Sequence, residues 1–193
     1  MKKTLKIGFI LGIVFVSLFW LSKNTNINPS HSVGDIVDSL NGVNVYYNGG
    51  VSNVEHRNTS DGYNLGLKYQ CVEFVKRYYY ENYNHKMPDT YGNAIDFFNS
   101  ALSDGKINSQ RALTQFTNPS ISKPRIGDLI VMSGTIFNKY GHVAIVSNVT
   151  DENIEIIQQN PGPFSNSREL FGLTKTEGYW EIKNDRVMGW LRK

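Results

Sequence analysis

Three apolar runs late in the chain constrain the fold most. Residues 127–132, 142–149 and 154–159 read as β-strands, rich in β-branched residues and bounded by turn signals. Asp151-Glu152-Asn153 turns the second run into the third, so these two form an antiparallel hairpin. Upstream the period changes. Cys71, Val72, Phe74, Val75, Tyr78 and Tyr79 recur at helical spacing, which predicts an amphipathic helix with Cys71 in its first turn and Pro88 beyond its end. A helix followed by an antiparallel meander is an α+β pattern. At 193 residues the chain is long enough for one domain with a real core.

The lesser elements follow from local signals. Residues 34–38 and 43–47 flank Asn41-Gly42 and predict a hairpin. Residues 51–66, rich in Asn, Ser, Gly and Asp, read as a loop leading into the Cys71 helix, and 108–124 as irregular. A shorter helix is expected over 93–102, with Ala94, Ile95, Phe97, Phe98 and Leu102 on its buried side. A last strand, 187–191, closes the chain. No element is assigned between 160 and 187.

Residues 1–22 have a different character. Lys2, Lys3 and Lys6 precede an uncharged, mostly apolar run from Ile7 to Leu21, the pattern of a secretory signal or signal anchor. Bulky Phe19-Trp20-Leu21 stands where a signal peptidase needs small residues, which favours an uncleaved anchor over a cleaved signal. Residues 23–32 read as a polar tether and 33–193 as an extracytoplasmic domain. Setting Lys2, Lys3 and Lys6 aside reduces the 20 basic residues to the number of acids, 17. A near-neutral body lacks the general basic face of a nucleic-acid binder.

Cys71 is the only cysteine. At a helix N-terminus, free N–H groups and the helix dipole favour a thiolate, the nucleophilic form. His142 opens one strand of the 142–159 hairpin, and Gln158, Gln159 and Asn160 end the other; the two sets should be neighbours at one sheet edge. If the Cys71 helix packs there, thiol, imidazole and carboxamide converge in an arrangement suited to nucleophilic acyl transfer. His31, His56 and His85 lie in polar stretches and are expected to be solvated. No two histidines share a metal-ligand spacing, one cysteine cannot build a zinc site, and no phosphate-binding glycine loop is present. No metal or cofactor is implied.

The segments Tyr69-Gln70-Cys71-Val72-Glu73-Phe74-Val75-Lys76-Arg77, Pro124–Ile130, Gly141–Val146 and Gln158-Gln159-Asn160 together resemble the CHAP family of cysteine amidohydrolases and peptidases. Within the family, Asn41–Tyr46 and Met188-Gly189-Trp190 are similar to the amidase branch found in bacterial glutathionylspermidine synthetase/amidases. The resemblance implies a papain-like, NlpC/P60-related α+β fold, with N-terminal helices packed on an antiparallel sheet. It implies Cys71 as nucleophile and His142 as base and then acid. The Cys71 N–H and a donor at or near Gln70 would form the oxyanion hole. Asn160 would hold substrate or orient the site, and Lys76 occupies a basic position of the related amidase, where it would hold a substrate carboxylate. Where the family motif has Glu, this chain has Gln158. A carboxamide still fixes the histidine tautomer but stabilises an imidazolium less.

Three functions are consistent with these residues. The first is a membrane-anchored cysteine amidase or endopeptidase acting on peptidoglycan peptide. The second is hydrolysis of a glutathione–polyamine conjugate, against which the export segment counts. The third, motivated by Gln158, is a wall- or partner-binding module of weak catalytic power. Lys76 and Arg77, as isolated charges, also fit a solvated face, and Tyr78-Tyr79-Tyr80 fits a helix flank that is part core.

Overall fold

The computed structural model describes residues 2–193, with side chains from residue 6 onward; Met1 and the side chains of Lys2 and Lys3, part of the expected positive start, lie outside the described residues. A helix, α1 (Lys2–Asn24), precedes two hairpin strands, β1 (Ile36–Leu40) and β2 (Val43–Tyr46). Asn41 and Gly42 both have positive φ, as the predicted turn requires. A second hairpin, β3 (Arg57–Ser60) and β4 (Tyr63–Leu67), occupies the segment expected to be a loop. Its turn is Asp61-Gly62, again at positive φ. The flanking Asn58, Thr59 and Ser60 lack an apolar alternation, so the turn dipeptide was its sole local signal.

Helix α2 (Cys71–Tyr83) forms as predicted. The expected helix over 93–102 does not; only one 3₁₀ turn, Ala94–Phe97, is present. Asn93 and Asp96 cap its start, but Phe98 turns extended. The Gln115 side chain then takes both backbone groups of Asn99, accepting its N–H at 2.9 Å and donating to its carbonyl at 2.9 Å. Those are the groups a continuing helix would have paired.

The remaining strands are β5 (Lys106–Asn108), β6 (Leu113–Thr117), β7 (Leu129–Met132), β8 (His142–Val149), β9 (Asn153–Ile157), β10 (Arg168–Thr176), β11 (Tyr179–Lys183) and β12 (Val187–Arg192). They build one eight-stranded sheet in the order β11-β10-β9-β8-β7-β12-β6-β5, antiparallel at every pairing. Here β5 and β6 correct the irregular reading of 108–124, and β10 and β11 fill the unassigned stretch.

Both faces of the central sheet are buried. Phe74, Val75, Tyr78 and Tyr79 of α2 pack against Leu129, Val131, Val143, Ile145, Ile157 and Leu191. On the other face Ile130, Ala144, Val146, Ile156, Phe171 and Trp190 form a second core. A Ser120/Trp180 bridge links β11, at one edge, to the segment after β6, so the sheet curls around that second core. Burial on both faces is why β7 and β8 read as unbroken apolar runs. The 23–32 segment is not a free tether: Asn26 Oδ1 accepts from Tyr47 Oη at 2.9 Å, and Asn28 donates to the Pro163 carbonyl at 2.7 Å.

Candidate active site

The fold carries Cys71, His142, Gln158, Asn160 and Gln70 to the walls of one cleft of about 1520 Å³. Each arrives for a local reason. Cys71 starts α2 directly after Gln70, whose extended backbone ends the preceding turn. Gly66 has φ 130°, and a Cβ there would meet the Glu73 backbone at 3.1 Å, so glycine lets β4 lie against the first turn of α2. His142 opens β8 behind Gly141, where a Cβ would stand 2.6 Å from the Met132 carbonyl. That glycine allows β8 to enter pairing with β7, where His142 faces Met132.

The ring of His142 is buried and bonded at Nε2 to Gln158 Oε1 at 2.9 Å. The orientation of Gln158 fixes the tautomer. Its Nε2 donates at 3.4 Å to the Asn166 carbonyl and to Glu169 Oε2, so its carbonyl oxygen faces the ring. His142 Nε2 is therefore the donor, and Nδ1 keeps its lone pair. Gln158 thus stands at the position where the family resemblance implies a histidine-orienting group. Glu155 does not substitute: it pairs with Arg168 and Ser147.

The backbone N–H groups of Val143, Val72 and Cys71 itself lie near the sulfur and favour its anionic form. His142 directly precedes Val143 in β8, and thiol and ring line the same cleft. Among the described residues no hydrogen bond joins the two. The ionisation differs from the sequence expectation. Burial pushes the Cys71 thiol up, outweighing the three N–H donors. Cys71 keeps partial exposure to the cleft, yet the surrounding protein removes enough water for desolvation to dominate. Burial also pushes His142 down to about 4, against the opposing bond from Gln158, and the nearby Arg186 guanidinium lowers it further. At neutral pH the resting pair is thiol and imidazole, not thiolate and imidazolium.

Gln70 and Asn160 form a brace beside the site. Gln70 Nε2 donates to the carbonyls of Asn53 (2.8 Å) and Val51 (3.3 Å), and its backbone N–H donates to Leu67. These bonds occupy every donor of Gln70, so the expectation that it supplies an oxyanion donor is corrected. Asn160, in a left-handed conformation at φ 59°, donates to Gln70 Oε1 at 2.8 Å and to the Val51 carbonyl at 2.9 Å. The pair ties loop 51–53 to the start of α2. Buried Gln159 completes the brace, donating to Gln70 O and Glu73 Oε2, both at 3.0 Å, and accepting from Tyr46 N–H.

Lys76 is also corrected. It is 1% exposed; its Nζ donates to the carbonyls of Asn64 and Thr90 and does not line the cleft. Burial lowers it to about 8, with Arg111 and Arg57 adding repulsion. Arg77 is buried in an ion pair with Glu73. Neither residue is solvated and neither faces substrate. His85, expected in solvent, is buried with Nε2 at 2.8 Å from the Arg111 carbonyl; His31 and His56 are exposed as expected.

A family profile described as the CHAP domain matches residues 58–160, from β3 through α2 and β8 to Asn160. This chain belongs to the CHAP family. Similar proteins include trypanothione synthetase of Crithidia fasciculata, 29% identical over 133 residues, and the bifunctional glutathionylspermidine synthetase/amidase of Escherichia coli (strain K12), 32% identical over 139 residues. These matches cover 67% and 66% of this chain but 20% and 22% of the relatives, so the chain spans about a fifth of their length. The CHAP match encloses Cys71, His142, Gln158 and Asn160, while β10–β12, with cleft residues Arg168, Glu169 and Arg186, lie beyond it.

Proposed function

We propose that this CHAP chain is a cysteine amidase or endopeptidase of extracytoplasmic, carboxylate-bearing peptide, with cell-wall peptide as its substrate class. The single observation carrying the chemistry is the one cleft lined both by Cys71, at the start of α2, and by His142, whose Nε2 is bonded to Gln158 and whose Nδ1 is left free. The papain-like sequence of steps follows. Nδ1 takes the thiol proton as sulfur attacks the amide carbonyl, and a tetrahedral oxyanion forms near the Cys71 N–H. The imidazolium returns its proton to the leaving nitrogen as the C–N bond breaks, and an acyl-thioester remains. Water, deprotonated by the same nitrogen, then releases the acid and the thiol. Because the resting pair is neutral, the proton moves during attack rather than before it. Asn160 and Gln70 position the nucleophile.

The charge of the cleft supports an anionic substrate. Lys23, Arg57, Lys139 and Arg186 line it without a carboxylate partner among the described residues, and Arg168 is paired with Asp38 and Glu155. Glu169 is the one acidic side chain among the described lining residues. A positive cleft concentrates carboxylates and repels cations. The alternative, a glutathione–polyamine conjugate as the relatives' names suggest, presents a polycationic portion to those charges. The apolar run of α1, long enough to cross a membrane over Lys6–Asn24, supports an extracytoplasmic, membrane-held body.

Purified full-length chain should release new amines from peptidoglycan, lose this with Cys71→Ala, and turn over glutathionylspermidine poorly. Equal amine release by Cys71→Ala refutes the cysteine mechanism. Preferred turnover of the polyamine conjugate refutes the substrate class but not the chemistry.

A further inference from the structure

The cleft has an apolar rim that the chemistry above does not use. Between β7 and β8, Ile136 is 97% exposed and Phe137 71%. Both line the mouth of the cleft, as do Lys139 and half-exposed Tyr140. Adjacent large apolar side chains at a loop tip signal a surface that is covered by something.

The neighbour of this loop is α1. The Phe19 and Phe137 rings lie 6.2 Å apart, and Lys23 Nζ donates to the Phe137 carbonyl at 2.7 Å. The last turn of α1 is fixed to the body as well: its Lys23 carbonyl accepts the Ser52 N–H at 2.9 Å. The last turns of α1 therefore touch two segments that line the cleft, the 134–140 loop and the 51–53 segment.

Depth follows from helix geometry. The candidate membrane span of α1, Lys6–Asn24, has 19 residues, about 28 Å of helix at ~1.5 Å per residue, close to the ~30 Å hydrocarbon layer, with the uncharged run from Ile7 to Leu21 at its centre. Its end at Lys23 and Asn24 then sits at the water boundary. Phe19 lies roughly 6 Å deeper along the axis, and Phe137 is carried to about that level. This matches the ~5–10 Å penetration of interfacial segments. Trp20 belongs at the same level as an interfacial aromatic. Lys23 and Lys139 place ammonium groups at the headgroup plane.

We infer that the 134–140 loop dips into the bilayer beside α1, so that the mouth of the cleft opens at the membrane surface. The occupant of the apolar rim is the lipid of the leaflet that α1 enters. The substrate is then peptide presented at the membrane face. The inference rests on the reading of α1 as a membrane span and not on the amidase chemistry.

The test uses the full chain with Cys71→Ala, reconstituted in mixed phosphatidylcholine–phosphatidylglycerol vesicles. Single cysteines carry an environment-sensitive fluorophore at Ile136→Cys, at Val14→Cys within α1, or at Glu81→Cys. Glu81 is exposed on α2, ten residues beyond Cys71 and so about 15 Å along the helix. Spin-labelled lipids should quench position 14 deeply and position 136 shallowly, with a blue shift at 136, and leave position 81 unquenched. Quenching at 14 with position 136 behaving like 81 overturns the loop insertion while the anchor stands. Absence of quenching at both 14 and 136 overturns the inference together with the anchor.

Discussion

Gln158→Glu is the most informative single change at the site. It exchanges a neutral acceptor for a carboxylate at 2.9 Å from His142 Nε2. At an effective dielectric of about 20, a unit pair at that distance is worth roughly 6 kcal/mol. Two costs reduce it. The new carboxylate is buried, and Glu169 Oε2 lies 3.4 Å from the atom it replaces. A close opposite charge shifts a pKa by about 1–3 units, or about 1.4–4 kcal/mol. His142, now pushed down to about 4, should therefore titrate one to three units higher, and the thiolate–imidazolium population should rise about 10- to 1000-fold. The assay is the rate of Cys71 alkylation by iodoacetamide as a function of pH. Wild type should follow a thiol titrating above its ordinary range, as burial dictates. Gln158→Glu should gain a reactive limb in mildly acidic solution, and adding Glu169→Gln should enlarge it by removing the repulsion. A folded Gln158→Glu variant with the wild-type pH profile would refute the placement of Gln158 as the partner of the His142 ring.

Other consequences follow from the same geometry. The His142 ring binds a proton less readily in the folded chain than in the unfolded one, about 4 against 6.5; the unfolded state therefore takes up more protons between these values. Stability should fall as pH drops from 6.5 towards 4, by up to about 3 kcal/mol, and His142→Asn should flatten this slope in urea titrations. Asn160→Ala removes two hydrogen bonds that hold Gln70 and loop 51–53; it should cost about 1–3 kcal/mol in urea unfolding and reduce turnover more than substrate affinity. Lys76→Ala leaves the carbonyls of Asn64 and Thr90 without their donor and should destabilise by about 2–4 kcal/mol, with KM for a carboxylate substrate unchanged. An increase in KM without loss of stability would contradict its structural role. Arg186→Gln removes a charge that holds His142 down and one of the unpaired cleft cations; it should raise KM for anionic peptide and move the acid limb of the rate profile upward.

The parts legible from sequence were those set by short-range periodicity. The helical spacing from Cys71 to Tyr79 was enough for α2, because its apolar face is written within three turns. The 142–159 hairpin was legible because Asp151-Glu152-Asn153 leaves no room for a crossover, and with it came the neighbourhood of His142 and Gln158. Asn41-Gly42 announced its hairpin through the φ values only such residues adopt readily. What the tertiary structure alone decided depends on groups far apart in the chain. Lys76 reads as an isolated charge on a helix face and His85 sits in a polar stretch, and only the packing of β4, residue 90 and Arg111 around them makes them interior. Gln70 looked like a free donor until Val51 and Asn53, many residues earlier, claimed its hydrogens. The positive lining of the cleft joins Lys23, Arg57, Lys139 and Arg186 from four separate segments. The ionisation of the pair reversed for the same reason. A helix N-terminus favouring a thiolate is a local effect, readable from sequence. Desolvation is set by everything that surrounds the sulfur and the ring, and here it is the larger of the two.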